Sequence, residues 1–178
     1  MKKMLAVAVV GLAIMGLGKS ASALNYASAS LNVELNGVLS MSIVGSAETT
    51  LPAVAPGQTS VSGSAITLLN DSDGIVETFS LTSFDSTPWT LQEVPGNNQF
   101  ALQGLFNSVA PATDDFTGPA DSITKVEKVA AADVFEGDQS GAGVMPGTQR
   151  VLWFKFLAPT TTTSFGARVL TVSIVAGL

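Results

Sequence analysis

The sequence of 178 residues predicts an all-β protein, an antiparallel β-sandwich of either jelly-roll or immunoglobulin-like strand order. Three observations lead to this fold class. Downstream of residue 23, the apolar residues show no helical period of useful length. Alternation of apolar and polar positions, which is typical of strands, recurs along the rest of the chain. Turn-forming residues separate these runs about every eight to twelve residues, as they do in sandwiches.

Residues 1–23 have the three parts of a secretory signal peptide. Lys2 and Lys3 follow Met1, an apolar run of about 15 residues follows at 4–18, and the small residues 21–23 form a cleavage site. The apolar run is shorter than the ~20 residues that a membrane-spanning helix needs. We therefore expect a secreted, extracellular or cell-surface protein. Its single domain would be residues 24–178, without a transmembrane segment.

Alternating apolar residues in the first predicted strand, 31–43, leave one face apolar on either side of Gly37. The second predicted strand is 61–69, and the turn sequence NDSDG at 70–74 separates it from the third. The residues on the apolar faces of the next three strands are Ile75, Phe79 and Leu81, then Trp89 and Leu91, then Phe100, Leu102, Leu105 and Phe106.

The second half of the chain contains more loop. Residues 110–122 and the glycine-rich stretch 136–149 are loops by composition, and 123–130 is compatible with a strand or with a single helical turn. The sequence RVLWFKFLAP at 150–159 predicts a strand that is apolar on both faces around its lysine. The last predicted strand runs over 165–175.

The first predicted strand is unusually long, because it has thirteen residues, which span ~40 Å, whereas typical strands have five or six residues. The strand could bend at Gly37 and pass from one sheet to the other within its own subunit. It could also leave its subunit and complete the sheet of a neighbouring copy, which would produce a homopolymer. In either case the residues that would fill an apolar groove are Leu31, Val33, Leu35, Leu39, Met41 and Ile43.

Composition excludes several classes of function. The whole chain contains no His and no Cys, and it has none of the familiar nucleotide, zinc or hydrolase motifs, so we expect no catalytic residues and no enzyme activity. After residue 23, five basic residues stand against 14 acidic residues, which gives a net charge of −9. Such a surface argues against nucleic acid as a partner. No cofactor is expected, with Ca²⁺ as the one candidate.

Two acidic loops supply the candidate Ca²⁺ ligands. Asp71 and Asp73 belong to NDSDG, and Asp114 and Asp115 belong to TDDFTGPAD. Ca²⁺ takes several hard oxygen ligands from flexible loops, and Asp-x-Asp-Gly is a fragment of such a loop. The fragment lacks the remaining spacing of a complete site. The alternative interpretation is a pair of ordinary solvated turns.

The two tryptophans, Trp89 and Trp153, are the candidates for stacking on a sugar ring. Both stand in apolar strand patterns, Trp89 beside Leu91 and Trp153 between Leu152 and Phe154. Large aromatic residues commonly fill sandwich cores, so packing in the core is the competing interpretation.

The stretch APGQTSVSGSAITLLNDSDGIVETFSLTS at 55–83 resembles the exported β-sandwich subunits of bacterial matrix fibres, the TasA/camelysin type. A Pro-Gly turn at 56–57, the strand 61–69 and the Asn/Asp-rich turn 70–74 follow one another in the order of that family. The resemblance implies a jelly-roll-like fold and polymerisation through the N-terminal strand. The protease activity associated with camelysin is not carried over, because the chain has no His and no metal motif.

Together these patterns indicate an exported structural protein that assembles with itself at the cell surface. It would be a fibre, pilus-like or sheath subunit, such as those of a biofilm matrix. The alternative function is a β-sandwich module that binds cell-wall or extracellular polysaccharide.

Overall fold

The computed structural model describes residues 38–178, and these form strands arranged in two β-sheets. The strands are β1 (Met41–Val44), β2 (Thr59–Val61), β3 (Ile66–Asn70), β4 (Thr78–Ser83), β5 (Thr90–Leu91), β6 (Gln99–Phe106), β7 (Ser122–Ile123), β8 (Lys128–Val129), β9 (Gln149–Leu157) and β10 (Val172–Gly177). A single 3₁₀ turn, Thr113–Asp115, is the one helical element within residues 38–178.

The larger sheet has the strand order β1-β3-β9-β6-β5, with β2 also paired to β9 and β7 also paired to β6. The smaller sheet has the order β10-β4-β8. Every strand pair is antiparallel except β5 with β6, which is parallel. The predicted all-β, mostly antiparallel two-sheet architecture is therefore confirmed. In the described part of the chain, no helix has the length and apolar character needed to cross a membrane.

The core lies between the inward faces of the two sheets. Alternate residues of β3 and β9 are buried, as the two-residue period of a strand requires, and Phe79, Leu81 and Ser83 of β4 are buried on one face, with Ser80 buried as well. The large side chains with at most 1% exposure include Leu68, Phe79, Leu81, Phe100, Phe106, Phe135 and Leu152. Burying each such side chain stabilises the fold by ~1.5–3 kcal/mol before conformational entropy is counted.

The single strand predicted over 61–69 is wrong in detail, because a bulge divides it into β2 and β3. Both pieces pair with β9, Val61 opposite Lys155 and Ile66 opposite Leu152. Four residues, 62–65, thus stand opposite two residues of β9. The Ser62 backbone N–H donates to the Phe154 carbonyl oxygen at 2.8 Å, and the Phe154 N–H donates to the Ser62 hydroxyl at 3.2 Å. These bonds hold the bulge against β9.

The segment 123–130 forms no helical turn, and it joins the two sheets. Its first part belongs to β7, which pairs with β6 of the larger sheet, and its second part contains β8, which pairs with β4 of the smaller sheet. The last strand is also shorter than predicted, since β10 begins at Val172 and residues 165–171 precede it as loop.

The predicted first strand, 31–43, falls only partly within the described residues, and 38–40 of that part do not belong to β1. β1 begins at Met41, and residues 38–40 lie before it, while 31–37 fall outside the described residues. The Ser40 carbonyl still accepts from the Asp71 N–H at 3.0 Å, but the Ser40 N–H donates to the Glu77 side chain at 2.8 Å. Because a side chain takes this donor, the regular ladder between β1 and β3 starts one residue later.

Candidate functional site: an apolar groove at one end of the sandwich

In the described part of the chain, an open groove of about 750 Å³ lies between the two sheets. Its floor is formed by Leu102, Phe154 and Phe156, whose side chains point inward from β6 and β9. One wall is the segment 47–54, which follows β1, and the other is the segment 165–170, which precedes β10. Most of the lining is therefore apolar.

The groove exists because the two sheets differ in width. Five strands lie side by side in the larger sheet, whereas the smaller sheet has three. Ile43 of β1 and Ile66 of β3 line the groove from the larger sheet, and Val172 and Ile174 of β10 line it from the smaller one. Apolar inward positions near the edge of the larger sheet thus have no strand of the smaller sheet over them.

The end of the sandwich that holds this groove is called here the open end, and the opposite end the closed end. At the closed end, the buried Asn70 side chain donates to the carbonyls of Ile75 at 2.8 Å and Val144 at 2.7 Å. Its oxygen accepts from the Ser72 N–H at 2.9 Å, which is an Asx turn. The Glu77 backbone exchanges two hydrogen bonds with Val144. These bonds tie the end of β3 to the start of β4.

Glu77 is a residue of the closed end that sequence analysis missed. Its side chain is 0% exposed, and one carboxylate oxygen accepts from the Ser40 N–H. The other carboxylate oxygen has no partner among the described residues. Glu77 thereby fixes the backbone at the position where the chain enters β1. An acid before a strand gives no sequence signal of burial, so its role could not be read from the pattern.

Among the predicted assembly residues, the structure describes Leu39, Met41 and Ile43. Met41 is half-buried and packs against the core, Ile43 lines the groove with 40% exposure, and Leu39 lies before β1 with 41% exposure. Leu31, Val33 and Leu35 lie outside the described residues.

Trp89 lines the groove, and its indole ring already has an aromatic and a cationic neighbour. The Phe156 ring stacks at a centroid distance of 6.2 Å, and the Arg168 guanidinium carbon lies 5.5 Å from the ring centroid. The indole N–H donates to the Thr162 hydroxyl at 3.0 Å. Trp89 is thus half-buried and engaged with groups of its own domain, as a packing role requires.

Trp153 lies on the outward face of β9, opposite Leu105 of β6. Its indole N–H donates to the Asn107 carbonyl at 3.0 Å, and the side chain is half-buried. The structure thus places the two tryptophans on opposite faces of the larger sheet. They do not form one binding surface.

The candidate cation ligands lie in two turns. Asp71 and Asp73 lie in the exposed turn after β3. Hydrogen bonds with the side chains of Ser40, the larger contribution, and Ser42 lower the pKa of Asp71. Asp115 accepts from the Ala112 N–H at 2.7 Å, at the start of the 3₁₀ turn that also contains Asp114. Within residues 38–178, no group of three or more Asp, Glu, His or Cys side chains is arranged to hold a metal ion.

A second buried acid is Asp121, which the sequence places in the acidic stretch TDDFTGPAD without any signal of its burial. It is 1% exposed, and burial raises the pKa of its carboxyl group, while hydrogen bonds from the Thr117 N–H and hydroxyl act in the opposite direction. Nearby, Lys128 donates to the carbonyls of Ala120 at 2.7 Å and Ser122 at 3.4 Å. Burial lowers the pKa of Lys128. These groups shape the turn before β7.

Comparison of the chain with protein-family models, with curated proteins and with solved structures gives no significant match.

Proposed function

We propose that the protein is an exported structural subunit that assembles head to tail at the cell surface, with the N-terminal segment of one copy filling the groove of the next. Residues 1–23 are removed on export, and the sandwich is of the jelly-roll type that the resemblance to matrix-fibre subunits implies. The observation that carries the proposal is the open apolar groove at the end opposite to the entry of β1.

The direction of β1 supports donation to another copy. Met41 stands opposite Asn70 at the closed end, and Val44 stands opposite Thr67, nearer to the groove. The first described residue, Val38, therefore lies on the side of the closed end. To reach the groove of its own domain, the segment 31–37 has to reverse direction. In contrast, the groove of a second copy stacked on the closed end lies straight ahead.

This contact joins two different surfaces, so each added copy presents a new groove and the assembly grows as a fibre. Leu31, Val33 and Leu35 fall on one face of an extended segment, and burying each in the groove contributes ~1.5–3 kcal/mol. Backbone pairing adds to this. Together these terms can exceed the ordering and association costs of several kcal/mol.

The test is a matched pair of triple variants of the full chain, expressed with its leader in a host that exports it. In L31S/V33S/L35S the apolar face is lost, and in N32S/E34S/N36S only the opposite face of the same segment changes. Negative-stain electron microscopy should show fibres for the unmodified protein and the second variant, and monomers for the first. Monomers for all three proteins would contradict the proposal, as would fibres from the first variant.

The second candidate function is polysaccharide binding, and the outward position of Trp153 favours this residue over Trp89. Co-sedimentation of the protein with insoluble cell-wall polysaccharide tests it. If this function holds, W153A should abolish co-sedimentation and leave the fold intact by circular dichroism. An equal bound fraction for W153A would exclude Trp153 as the binding residue.

A further inference from the structure

The outer edge of β10 is the backbone edge that borders the groove. Within residues 38–178, β10 pairs with β4 alone, so its other edge carries unpaired N–H and C=O groups. Its sequence, VSIVAG, contains no charge and no proline, which are the usual devices that protect an edge strand from pairing. Val172 and Ile174 of the same strand line the groove.

We infer that this edge accepts the segment 31–37 of a neighbouring copy as an additional strand, antiparallel to β10. The inference rests on the proposed function and adds the edge, the direction and the register of the contact. Seven extended residues span ~23 Å and the six residues of β10 span ~20 Å, so the two segments match in length.

The direction follows from the two ends of the domain. β10 runs from the open end, where Val172 stands opposite Ser83, to the closed end, where Gly177 stands opposite Thr78. An incoming segment is tethered through its residue 37 to the copy stacked at the open end. Its residue 31 must therefore reach toward the closed end. Chain direction in the incoming segment is then opposite to that of β10.

The register follows from the faces of the two strands. Val172, Ile174 and Ala176 face the core, because their partners on β4 are Ser83, Leu81 and Phe79, which are all buried. A single antiparallel register matches all three inward positions with all three apolar residues of the segment. It pairs Leu35 with Val172, Val33 with Ile174 and Leu31 with Ala176.

On the outward face, the same register places Glu34 opposite Ser173 and Asn32 opposite Val175. If a copy instead folded its own segment back onto its own β10, the chain direction would be reversed. The segment would then run parallel to β10, with Glu34 beside Val175 and Asn32 beside Ser173. Cross-links at these four positions therefore distinguish donation from folding back.

The experiment uses engineered disulfides, for which the chain is well suited because it contains no Cys. The E34C/S173C and N32C/V175C variants test the antiparallel register, and the matched controls E34C/V175C and N32C/S173C test the parallel one. Directly opposite residues lie within the Cα separation of 4.4–6.8 Å that disulfides require, whereas diagonal neighbours lie ~7–8 Å apart. The full, exported chains are oxidised after assembly and separated on a non-reducing gel.

The expected result is a ladder of covalent oligomers for the first two variants, at least tenfold more intense than for the controls. Intrachain disulfides in E34C/V175C and N32C/S173C monomers would overturn the inference in favour of folding back. Fibres of all variants that show no ladder would overturn the choice of edge and leave the proposed function standing. If every protein, including the one without engineered cysteines, stays a monomer without any cross-link, both this inference and the proposed function are overturned.

Discussion

The two ends of the domain are built from the same kind of strands, yet one is closed by polar side chains and the other is open and apolar. At the closed end, the side chains of Asn70 and Glu77 form hydrogen bonds with backbone groups that the strand ladders leave without a partner. At the open end, the segments 47–54 and 165–170 border a groove of about 750 Å³ instead. The difference teaches that the sandwich is complete where buried polar side chains, Asn70 and Glu77, flank the short connection from β3 to β4.

The largest expected effect comes from removing the Asn70 side chain. Asn70→Ala leaves the carbonyls of Ile75 and Val144 and the Ser72 N–H without their partner in a buried site. Since each buried unsatisfied group costs about 1–3 kcal/mol, we expect a loss of about 3 kcal/mol in the free energy of unfolding. Urea unfolding followed by tryptophan fluorescence measures it.

The matched control is Asn97→Ala near the open end, where the exposed side chain accepts one hydrogen bond from Thr161 at 3.2 Å. This change should stay within about 0.5 kcal/mol. Equal losses for the two variants would remove the energetic distinction between the ends.

A smaller effect is expected from adding one methyl group at each end. A Cβ at Gly141, whose carbonyl accepts from Phe79 N–H, would meet the Phe106 ring and lie 2.9 Å from the Ala130 Cβ. Gly141→Ala should therefore destabilise the fold by about 1–3 kcal/mol. A Cβ at Gly63 would meet only the Thr50 carbonyl, at 3.6 Å. Gly63→Ala should be neutral or slightly stabilising.

The thermal midpoint of each glycine variant provides the measurement. We expect a clearly lower midpoint for Gly141→Ala and an unchanged or raised midpoint for Gly63→Ala. That result would confirm that the two ends differ in how tightly they are packed. A decrease of the same size at Gly63 would show that the open end is packed as tightly as the closed one.

The smallest effect concerns pH at the closed end. Hydrogen bonding to Ser40 and Ser42 lowers the pKa of Asp71 in the folded protein, so this stabilisation is present above the unfolded pKa of about 4. It is lost as the pH falls through the folded pKa. Hydrogen exchange near Ser40 should accelerate in that range for the unmodified protein, after correction for the intrinsic exchange rate.

In Asp71→Asn this additional acceleration should disappear, whereas Asp73→Asn, a change in the same exposed turn, should retain it. Identical pH profiles for the unmodified protein and Asp71→Asn would refute a role for this carboxylate at the entry of β1.

Local sequence patterns, namely apolar alternation and turn residues, were sufficient to predict the fold class. The period of two that places Phe79 and Leu81 on the buried face of β4 is visible in the sequence, and so is the turn at 70–74. The bulge at 62–65, the parallel pairing of β5 and the crossing of 123–130 between sheets depend on partners distant in the chain. No local pattern encodes those partners.

The site was predictable only in part for the same reason. Alternation identified Ile43 as a residue of an apolar face, and the structure places it in the groove lining. The groove itself arises from the unequal widths of the two sheets, which the sequence does not reveal. Asn70 reads as a turn residue, although its side chain also bonds Val144, 74 residues away. For Trp89 the apolar strand pattern favours packing in the core, but its contact with Arg168 is long-range and could not be read from the sequence.

The position of β1 directly after the first described residues has a mechanical consequence. Tension applied at Val38 acts along the axis of β1, and the hydrogen bonds between β1 and β3 lie perpendicular to that axis. The four paired positions from Met41 to Val44 are then strained together in shear and do not unzip one after another. In the proposed fibre, a pull on one subunit would meet the resistance of the whole β1–β3 ladder at once.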